Sequence, residues 1–305
     1  MKFGVESLAG GTRPWAPPSF CSYSTTRLGT CCLNSPESGG LGAGSEGALT
    51  DRGRFRQISV GYVIQLAMEL MAAPTTCNTP SELSDLGRNL PRLAEALSGP
   101  SDVTIVAIGS SSTEGDGASS KAASYPSRLN DALSGRFPNK KITVLNVGVG
   151  GQEAPDEAAR FKKDVLASNP SLVIWQVGTN AAWKDYFLDD VTAGILRGLD
   201  HLSGVKSDVI LMNLQYAPAL LDQQQQEPTP ATQQMQNIIA RIASDSGVAL
   251  FRRFEIMRYW RVTGGVTFEQ MISNFDGNWL HQNDWSYNCI AQALCDGIVE
   301  AVATD

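Results

Sequence analysis

Histidine is scarce in this chain of 305 residues, which contains only His201 and His281. Imidazole is the usual group that takes a proton from a hydroxyl near neutral pH, so serine chemistry here has only two candidate bases. The cysteines form no CxxC pair and no cluster with histidine, which excludes the usual ligand spacing of zinc. We therefore expect neither a metal nor another cofactor.

Runs of one charge and long apolar runs are also missing. The 24 basic and 31 acidic residues give a net charge of −7 without any lysine or arginine run, so we expect no nucleic-acid partner. No apolar stretch is long enough for stable membrane insertion. A small-molecule or glycan ester fits this composition better, and no feature of the sequence specifies an oligomeric state.

The N-terminal quarter differs from the rest of the chain. Residues 1–56 are rich in Gly, Ser, Thr and Pro, which predicts a disordered low-complexity extension. Residues 57–76 follow several arginines and combine an apolar stretch with small residues at its end, as in a secretory signal. Gln65, Glu69 and the long preceding segment instead favour a short amphipathic helix, and both interpretations stay open.

Three cysteines fall in the remaining domain, residues 77–305. Cys77 could form a disulfide with Cys289 or Cys295 on the last predicted helix, or all three could be buried thiols. A disulfide would suit an exported protein. Together with the signal-like segment it favours a periplasmic or secreted location, with the cytoplasm as the alternative.

Strand-like and helix-like patterns alternate from Asp102 onward. Short β-branched apolar runs predict strands, and the segments between them predict helices. The predicted strands are 103–108, 142–147, 172–177, 209–214 and a weaker one at 248–251. This order predicts an α/β fold, a three-layer α/β/α sandwich around a five-stranded parallel, flavodoxin-like sheet.

Glycine-bearing or polar turns follow four of the predicted strands. Parallel sheets bind ligands at the carboxyl ends of their strands, so these turns are the candidate site. They comprise Gly109–Thr113, Gly148–Gly151, Gly178–Asn180 and Gln215–Pro218. Their convergence on one edge predicts a functional site there.

Ser111 is the candidate nucleophile, because it lies in the first turn, where a following helix points its N–H groups. A helix cap or an anion site would use the same position, although the turn has neither a Walker lysine nor a GxSxG elbow. Gly151 could donate a backbone N–H and Asn180 a side-chain amide to an oxyanion. A tight turn and a second helix cap are the alternatives for these two residues.

Four blocks of this chain together resemble the SGNH hydrolases, also called GDSL-like esterases and lipases. The blocks are Gly109–Gly115, Asn146–Gly151, Gly178–Asn180 and the segment from Asp276 to His281. The resemblance implies Ser111 as nucleophile and His281 as general base. It also implies an oxyanion hole formed by the Ser111 N–H, Gly151 and Asn180.

The triad acid departs from that family's pattern. The position three residues before His281 is Asn278, whereas the nearest upstream acid, Asp276, lies five residues before it. A two-residue expansion of the loop would let Asp276 reach the ring, so we favour it over Asn278 and over the downstream Asp284. His201 lies in a helical pattern away from the strand ends, and we expect it to take no part in catalysis.

The sequence therefore predicts a serine esterase that hydrolyses carboxylic esters, preferably with short acyl chains, through an acyl-enzyme. Trp183, Tyr216 and Trp279 flank the site and could shape an acyl or sugar pocket, with core packing as the alternative. A carbohydrate O-acetyl esterase is the second candidate function. A non-catalytic glycan- or acyl-binding module on the same fold is the third, because Asn278 occupies the expected acid position.

Overall fold

The computed structural model describes residues 76–184, 186–224 and 226–303. The predicted low-complexity extension, residues 1–56, and the predicted signal-like or amphipathic segment up to residue 75 lie outside the described residues. The domain predicted for residues 77–305 is described except for Asp185, Gln225 and the last two residues.

Five parallel strands form one sheet in the order β2-β1-β3-β4-β5. Their apolar, largely β-branched sequences suit a sheet that is covered on both faces, and every residue of β3 is buried. The strands are β1 Val103–Ile108, β2 Ile142–Asn146, β3 Leu172–Gln176, β4 Asp208–Met212 and β5 Ala249–Phe251. The predicted five-stranded parallel sheet is confirmed, including its weak last strand.

Helices cover both faces of this sheet. They are α1 Ser81–Ser84, α2 Pro91–Ser98, α3 Ser111–Glu114, α4 Tyr125–Arg136, α5 Ala154–Ala159, α6 Phe161–Asp164, α7 Thr179–Trp183, α8 Leu188–Ser203, α9 Pro230–Ser246, α10 Arg253–Val262, α11 Phe268–Met271 and α12 Asp284–Ala303. Helix α4 packs on α12, whereas α8 packs on α5 and α9, as expected for a three-layer α/β/α sandwich. Within the described residues, no helix combines the length and apolarity needed to cross a membrane.

The strand order creates a crevice between β1 and β3. From β1 the chain moves outward to β2, whereas from β3 it moves in the opposite direction to β4. Because parallel crossovers are right-handed, the helices that follow β1 and β3 cover opposite faces of the sheet. The turns after these two strands therefore diverge, and a ligand can enter between them.

Helix α9 illustrates how local chemistry sets the helix boundaries. The Thr229 side chain accepts a hydrogen bond from the Thr232 N–H, and Pro230 begins the helix where no N–H partner is needed. The helix ends at Gly247, whose φ of 68° is the left-handed conformation that glycine adopts most easily. The helix end at Gly247 lets the chain turn directly into β5, which begins at Ala249.

A disulfide between Cys77 and Cys289 joins the segment before α1 to helix α12, across a sequence separation of 212 residues. Cys295 is a buried free thiol. The structure thus contains one of the disulfides that the sequence allowed, and Cys289 rather than Cys295 is the partner. The bond fastens the N-terminal arm of the domain to the helix that follows the catalytic histidine candidate.

We expect loss of this disulfide to lower the free energy of unfolding by about 2–5 kcal/mol, because the bridge closes a long loop in the unfolded chain. Chemical denaturation of the Cys77→Ser/Cys289→Ser double variant measures the effect. In the wild type a thiol reductant should cause a similar loss, whereas it should not change the stability of the double variant. Equal stability of wild type and double variant would contradict this expectation.

Candidate active site

Ser111 and His281 are in hydrogen-bond contact. Ser111 is the first residue of α3, directly after β1, and its Oγ lies 2.9 Å from Nε2 of His281. Both side chains are buried, with 7% and 6% of their surface exposed. A hydroxyl bonded to an imidazole in a largely dry setting is the arrangement that activates a serine nucleophile. The two residues come from opposite ends of the domain, so only the fold brings them together.

The turn that carries Ser111 is held by the buried side chain of Gln176, the last residue of β3. Its Oε1 lies within hydrogen-bond distance of the Ser110 N–H (3.2 Å), the Ser112 Oγ (3.1 Å) and the Thr113 Oγ1 (3.3 Å). An amide oxygen has two lone pairs, so these donors share it. Sequence reasoning missed Gln176, although a polar residue that closes an otherwise apolar strand was the available signal.

A fully buried guanidinium, that of Arg253, lies behind the same turn. It donates to the Asn213 carbonyl (3.2 Å), the Ser112 Oγ (3.3 Å) and the Gln215 Oε1 (2.8 Å), and it contacts the Gln282 Oε1 at 3.5 Å. Burial lowers the pKa of Arg253 to about 10, so the group is still charged at neutral pH. It connects the nucleophile turn to the residue that follows His281, and sequence reasoning missed it as well.

Asp276 is the acid nearest to the histidine. Its Oδ2 lies 3.3 Å from Nδ1 of His281, at ion-pair distance but short of hydrogen-bond alignment. Asn278 holds this carboxylate from behind, since its N–H donates to Oδ1 (3.0 Å) and its Nδ2 donates to Oδ2 (2.9 Å). Asp284 instead accepts from the N–H and Oγ of Ser119. The structure therefore brings Asp276 to the imidazole and gives Asn278 a supporting contact.

Electrostatics at His281 combine burial with nearby carboxylates. Burial lowers the pKa of His281, and the negative charges of Asp116 and then Asp276 oppose that shift. Burial raises the pKa of Asp116, His281 lowers it, and Glu114 and Asp276 raise it further. Burial tends to raise the pKa of Asp276, but the hydrogen bonds from Asn278 and the charge of His281 outweigh it, so this pKa lies below its usual value. Asp116 is a second acid facing the histidine that sequence reasoning missed.

Close backbone contact joins the nucleophile helix to the turn after β2. A Cβ on Gly148 would lie 2.3 Å from the Glu114 nitrogen, so only glycine allows this approach. The Glu114 carboxylate accepts the Gly150 N–H at 2.7 Å. A Cβ on Gly150 would also lie 3.9 Å from the Ser111 Cβ, which places this second turn beside the nucleophile.

The predicted oxyanion donors lie around this contact. Within the described residues, neither the N–H of Ser111 nor that of Gly151 donates a hydrogen bond to another residue. The Nδ2 of Asn180 donates to the Gln152 carbonyl at 2.8 Å, which orients the amide and leaves its second N–H for a ligand. Asn180 is almost fully buried at the start of α7. The turns after β2 and β3 are thus joined to each other through Gln152 and Asn180, and the turn after β2 lies beside Ser111.

The three predicted pocket aromatics have different environments. Tyr216 is only 3% exposed and packs between Phe254 and Phe268, so its ring belongs to the core and does not line an open pocket. Trp183 is partly buried, and the Lys184 ammonium lies 5.3 Å from the centre of its ring. The structure does not bring Tyr216 to the open side of the site, because aromatic neighbours enclose it.

Two open clefts flank the His281 loop. One, of about 340 Å³, is lined by Trp279 together with Pro218, Gln223, Gln226, Phe268 and Glu269. The other, of about 620 Å³, is lined by residues 115–119, Ser273, Phe275, Asn283 and Asp284. Phe275 is 64% exposed, and its ring centre lies 5.8 Å from that of His281. Aromatic surface is therefore available in both clefts, and that of Phe275 lies next to the His281 ring.

His201 lies on helix α8, away from the strand ends, as the sequence indicated. Its side chain is exposed, and its ring lies 6.4 Å from that of Phe161. Nothing in these contacts resembles the environment of His281. Among the residues that the structure describes, no group of three or more His, Cys, Asp and Glu side chains could hold a metal ion.

Comparison with known families places the chain in one of them. The sequence model of the non-GDSL lipase-like family matches residues 76–304, which is most of the chain. The chain belongs to the non-GDSL lipase-like family. The turn that carries Ser111 reads Gly-Ser-Ser-Ser at residues 109–112, so it lacks the Gly-Asp-Ser-Leu sequence after which the GDSL enzymes are named. Membership of the wider SGNH group remains a prediction from the four sequence blocks.

Individual relatives of this non-GDSL lipase-like chain are esterases. An acetylxylan esterase from Geobacillus stearothermophilus is 24% identical over 155 residues, which cover 47% of this chain and 69% of that protein. The crystal structure of an acetylxylan esterase from the same organism gives a TM-score of 0.53 at 19% identity, covering 67% of this chain and 96% of that chain.

A two-domain esterase active on acetylated mannans, crystallised with mannopentaose, gives a TM-score of 0.58 at 19% identity. The match covers 74% of this chain and 58% of that one, so the chain spans little more than half of the two-domain protein. At these identities the structural matches show a shared fold.

The pH dependence of this non-GDSL lipase-like domain should reflect the lowered pKa of His281. The base must be neutral to accept a proton, so kcat/KM should fall on acidification with an apparent pKa below the usual value of about 6.5. Asp116→Asn removes a negative charge that favours the imidazolium form of His281. The acidic limb of the pH profile, where kcat/KM falls, should therefore move to still lower pH. A pH profile of kcat/KM for both proteins measures the shift, and an unchanged limb in the variant would contradict the placement of Asp116.

Replacement of Asp276 should separate the two candidate acids. We expect Asp276→Asn to lower kcat by roughly two to four orders of magnitude, because the imidazolium loses its charged partner. Asn278→Ala should cost less, because it removes only a support of that carboxylate. Steady-state kinetics of the two variants measures this, and a larger loss for Asn278→Ala would reverse the assignment.

Proposed function

We propose that this chain is a serine esterase that removes short acyl groups, acetyl foremost, from the hydroxyl groups of carbohydrates. The observation that carries the proposal is the 2.9 Å contact between Ser111 Oγ and His281 Nε2 at the carboxyl end of β1, where the Ser111 N–H donates no hydrogen bond to any residue that the structure describes. No metal or cofactor takes part in the proposed reaction.

The proposed reaction has two stages. Ser111 Oγ attacks the ester carbonyl while Nε2 of His281 takes its proton, which requires the neutral ring to carry its own proton on Nδ1, toward Asp276. The Ser111 N–H, Gly151 N–H and Asn180 amide stabilise the oxyanion. His281 then protonates the departing alcohol, and the acyl-enzyme forms. Water attacks this ester while His281 takes a proton from the water. His281 then returns that proton to Ser111 Oγ as the acid leaves.

The geometry favours this function over a non-catalytic binding module. The reason to consider such a module was Asn278 at the expected position of the acid, and Asp276 instead lies beside the imidazole. A relative also supports a catalytic function. In the Geobacillus stearothermophilus acetylxylan esterase, replacement of a serine and replacement of a histidine each give a catalytic mutant. A serine-directed phosphonate should label Ser111 in an esterase and should not label it in a binding module.

A carbohydrate leaving group fits the surroundings of the catalytic pair. The two clefts that flank the His281 loop are open and combine aromatic surface, at Trp279 and Phe275, with carboxylates, at Glu269 and Asp116. Aromatic faces and carboxylate acceptors suit the ring faces and hydroxyls of a neutral sugar, whereas the carboxylates repel anionic groups. The relatives that act on acetylated xylan and mannan support the same substrate class.

We expect Ser111→Ala and His281→Ala each to abolish cleavage of p-nitrophenyl acetate, a loss of at least roughly 10³-fold in kcat. His201→Ala is the matched control, because it removes the only other histidine and should leave the rate unchanged. Circular dichroism checks that each variant is folded. Full activity in folded Ser111→Ala protein would end the proposal.

Substrate class can be tested with the wild-type protein. Release of acetate from acetylated xylo- and manno-oligosaccharides should exceed, in kcat/KM, the cleavage of p-nitrophenyl octanoate. The reverse preference would favour a lipase-like esterase over a carbohydrate esterase.

We further propose that the protein works in the periplasm or outside the cell. The disulfide between Cys77 and Cys289 supports this location, because such bonds persist in oxidising compartments. Mass spectrometry of the native protein would give its N-terminus and the oxidation state of these cysteines. Reduced thiols in protein isolated from its source would argue for the cytoplasm.

A further inference from the structure

We propose that Glu153 is the positioning residue of the oxyanion hole, and that it acts by holding the start of α7 so that Asn180 faces the substrate carbonyl. The inference rests on the proposed function, because it assigns Asn180 its role as an oxyanion donor. Glu153 belongs to the turn after β2, two residues beyond Gly151, and it is only 4% exposed.

The carboxylate of Glu153 is surrounded by backbone donors. Its Oε1 accepts the N–H groups of Ala154 (3.0 Å) and Gly178 (2.9 Å), and its Oε2 accepts the N–H of Ala181 (2.8 Å). Two of these donors, the N–H groups of Gly178 and Ala181, belong to the N-cap and the first turn of α7, where no backbone carbonyl is available to accept them. Glu153 therefore caps the helix that carries Asn180 from outside that helix.

These bonds connect the two halves of the oxyanion hole. Gly151 and Glu153 belong to the same turn, and the Gln152 carbonyl between them accepts the Asn180 amide at 2.8 Å. Gly178, at the entry to α7, has a φ of 87° and is fixed by its N–H bond to Glu153. A shift of the Glu153 side chain would thus move Asn180 relative to Gly151, and misplacement by about 1 Å can cost roughly 10²-fold in rate.

Glu157 provides a contrast within the same buried region. It lies one helical turn after Glu153 and is fully buried, and its Oε2 accepts the Trp175 Nε1–H at 2.7 Å. Its Oε1 has no hydrogen-bond partner among the described residues. Burial and the nearby charge of Glu153 raise the pKa of Glu157 well above its usual value. Burial also raises the pKa of Glu153, but the backbone N–H groups that donate to it oppose that shift, so Glu157 is the carboxyl of the pair that takes a proton more readily.

This difference makes glutamine a selective probe. In Glu153→Gln an amide NH₂ replaces an oxygen that accepts backbone N–H groups, so donor faces donor although the volume is nearly unchanged. In Glu157→Gln the amide oxygen can still accept the Trp175 N–H, and the NH₂ group replaces an oxygen that accepts no hydrogen bond from the described residues. Glu157→Gln is therefore a matched control for perturbation of the buried region.

A double-mutant cycle with Asn180 tests the inference. We expect Glu153→Gln to lower kcat on p-nitrophenyl acetate by roughly 10- to 100-fold with little change in KM, and Asn180→Ala by roughly 10²- to 10³-fold. In the Asn180→Ala background, Glu153→Gln should change kcat by less than about threefold, because nothing remains to be positioned. Glu157→Gln should stay within about threefold of wild type.

Amide hydrogen exchange tests the hydrogen bonds between Glu153 and the start of α7 without any ester substrate. In Glu153→Gln the amides of Gly178 and Ala181 should exchange at least roughly tenfold faster than in wild type, whereas core amides of β3 keep their protection. Glu157→Gln should leave all of these rates unchanged. This measurement remains informative even if the wild-type protein cleaves no ester and the proposed function fails.

Three results would overturn the inference. The first is full kcat in folded Glu153→Gln protein when the wild type is active. The second is an equal loss of kcat from Glu153→Gln in the wild-type and Asn180→Ala backgrounds, which would indicate a general structural role. The third is unchanged exchange at Gly178 and Ala181.

Discussion

Parallel pairing is the constraint from which the candidate site follows. It places the carboxyl ends of all five strands on one edge, and a crevice opens there because strands are added to opposite sides of the sheet after β1 and after β3. Ser111 follows β1, Gly151 follows β2 and Asn180 follows β3, so one edge collects the proposed nucleophile and the proposed oxyanion donors. His281 must come from the loop before α12, and the packing of α12 on α4 keeps that loop over the crevice.

Buried polar groups beneath the edge make this arrangement rigid. Gln176, Arg253 and Glu153 each lie at or just beyond a strand end and hydrogen-bond to a different part of the site. A buried polar group that loses its partner costs free energy, so these networks hold one geometry in preference to others. Such preorganisation is what stabilisation of a developing oxyanion requires.

His281 illustrates how opposing effects prepare a base. Burial favours the neutral ring, which can accept the proton of Ser111, whereas Asp116 and Asp276 favour the imidazolium that forms once the proton has moved. Because neither influence acts alone, the ring can be a free base before the reaction and a stable cation during it. The carboxylates also give this side of the site a negative potential, which suits a neutral substrate better than an anionic one.

Local patterns in the sequence were sufficient for the fold and for the central pair of residues. The alternation of apolar runs with helical segments predicted the parallel sheet, and the turn after its first strand predicted Ser111 as a candidate, because the carboxyl ends of parallel strands share one edge. His281 was predicted from the scarcity of histidine and from the resemblance of the last sequence block. Only the tertiary structure showed which side chain faces the imidazole: left-handed backbone at Gly277 and Trp279 turns the loop so that Asp276, not Asn278, lies beside the ring.

Tertiary structure alone also decided that Tyr216 is a core residue, that Cys289 rather than Cys295 bonds Cys77, and that Gln176, Arg253 and Glu153 hydrogen-bond to the turns that carry Ser111 and Asn180. These contacts include bonds between residues 25 to 212 positions apart along the chain. The type of a residue and its local pattern determine what its side chain can do, whereas the packing of distant segments determines which groups it meets.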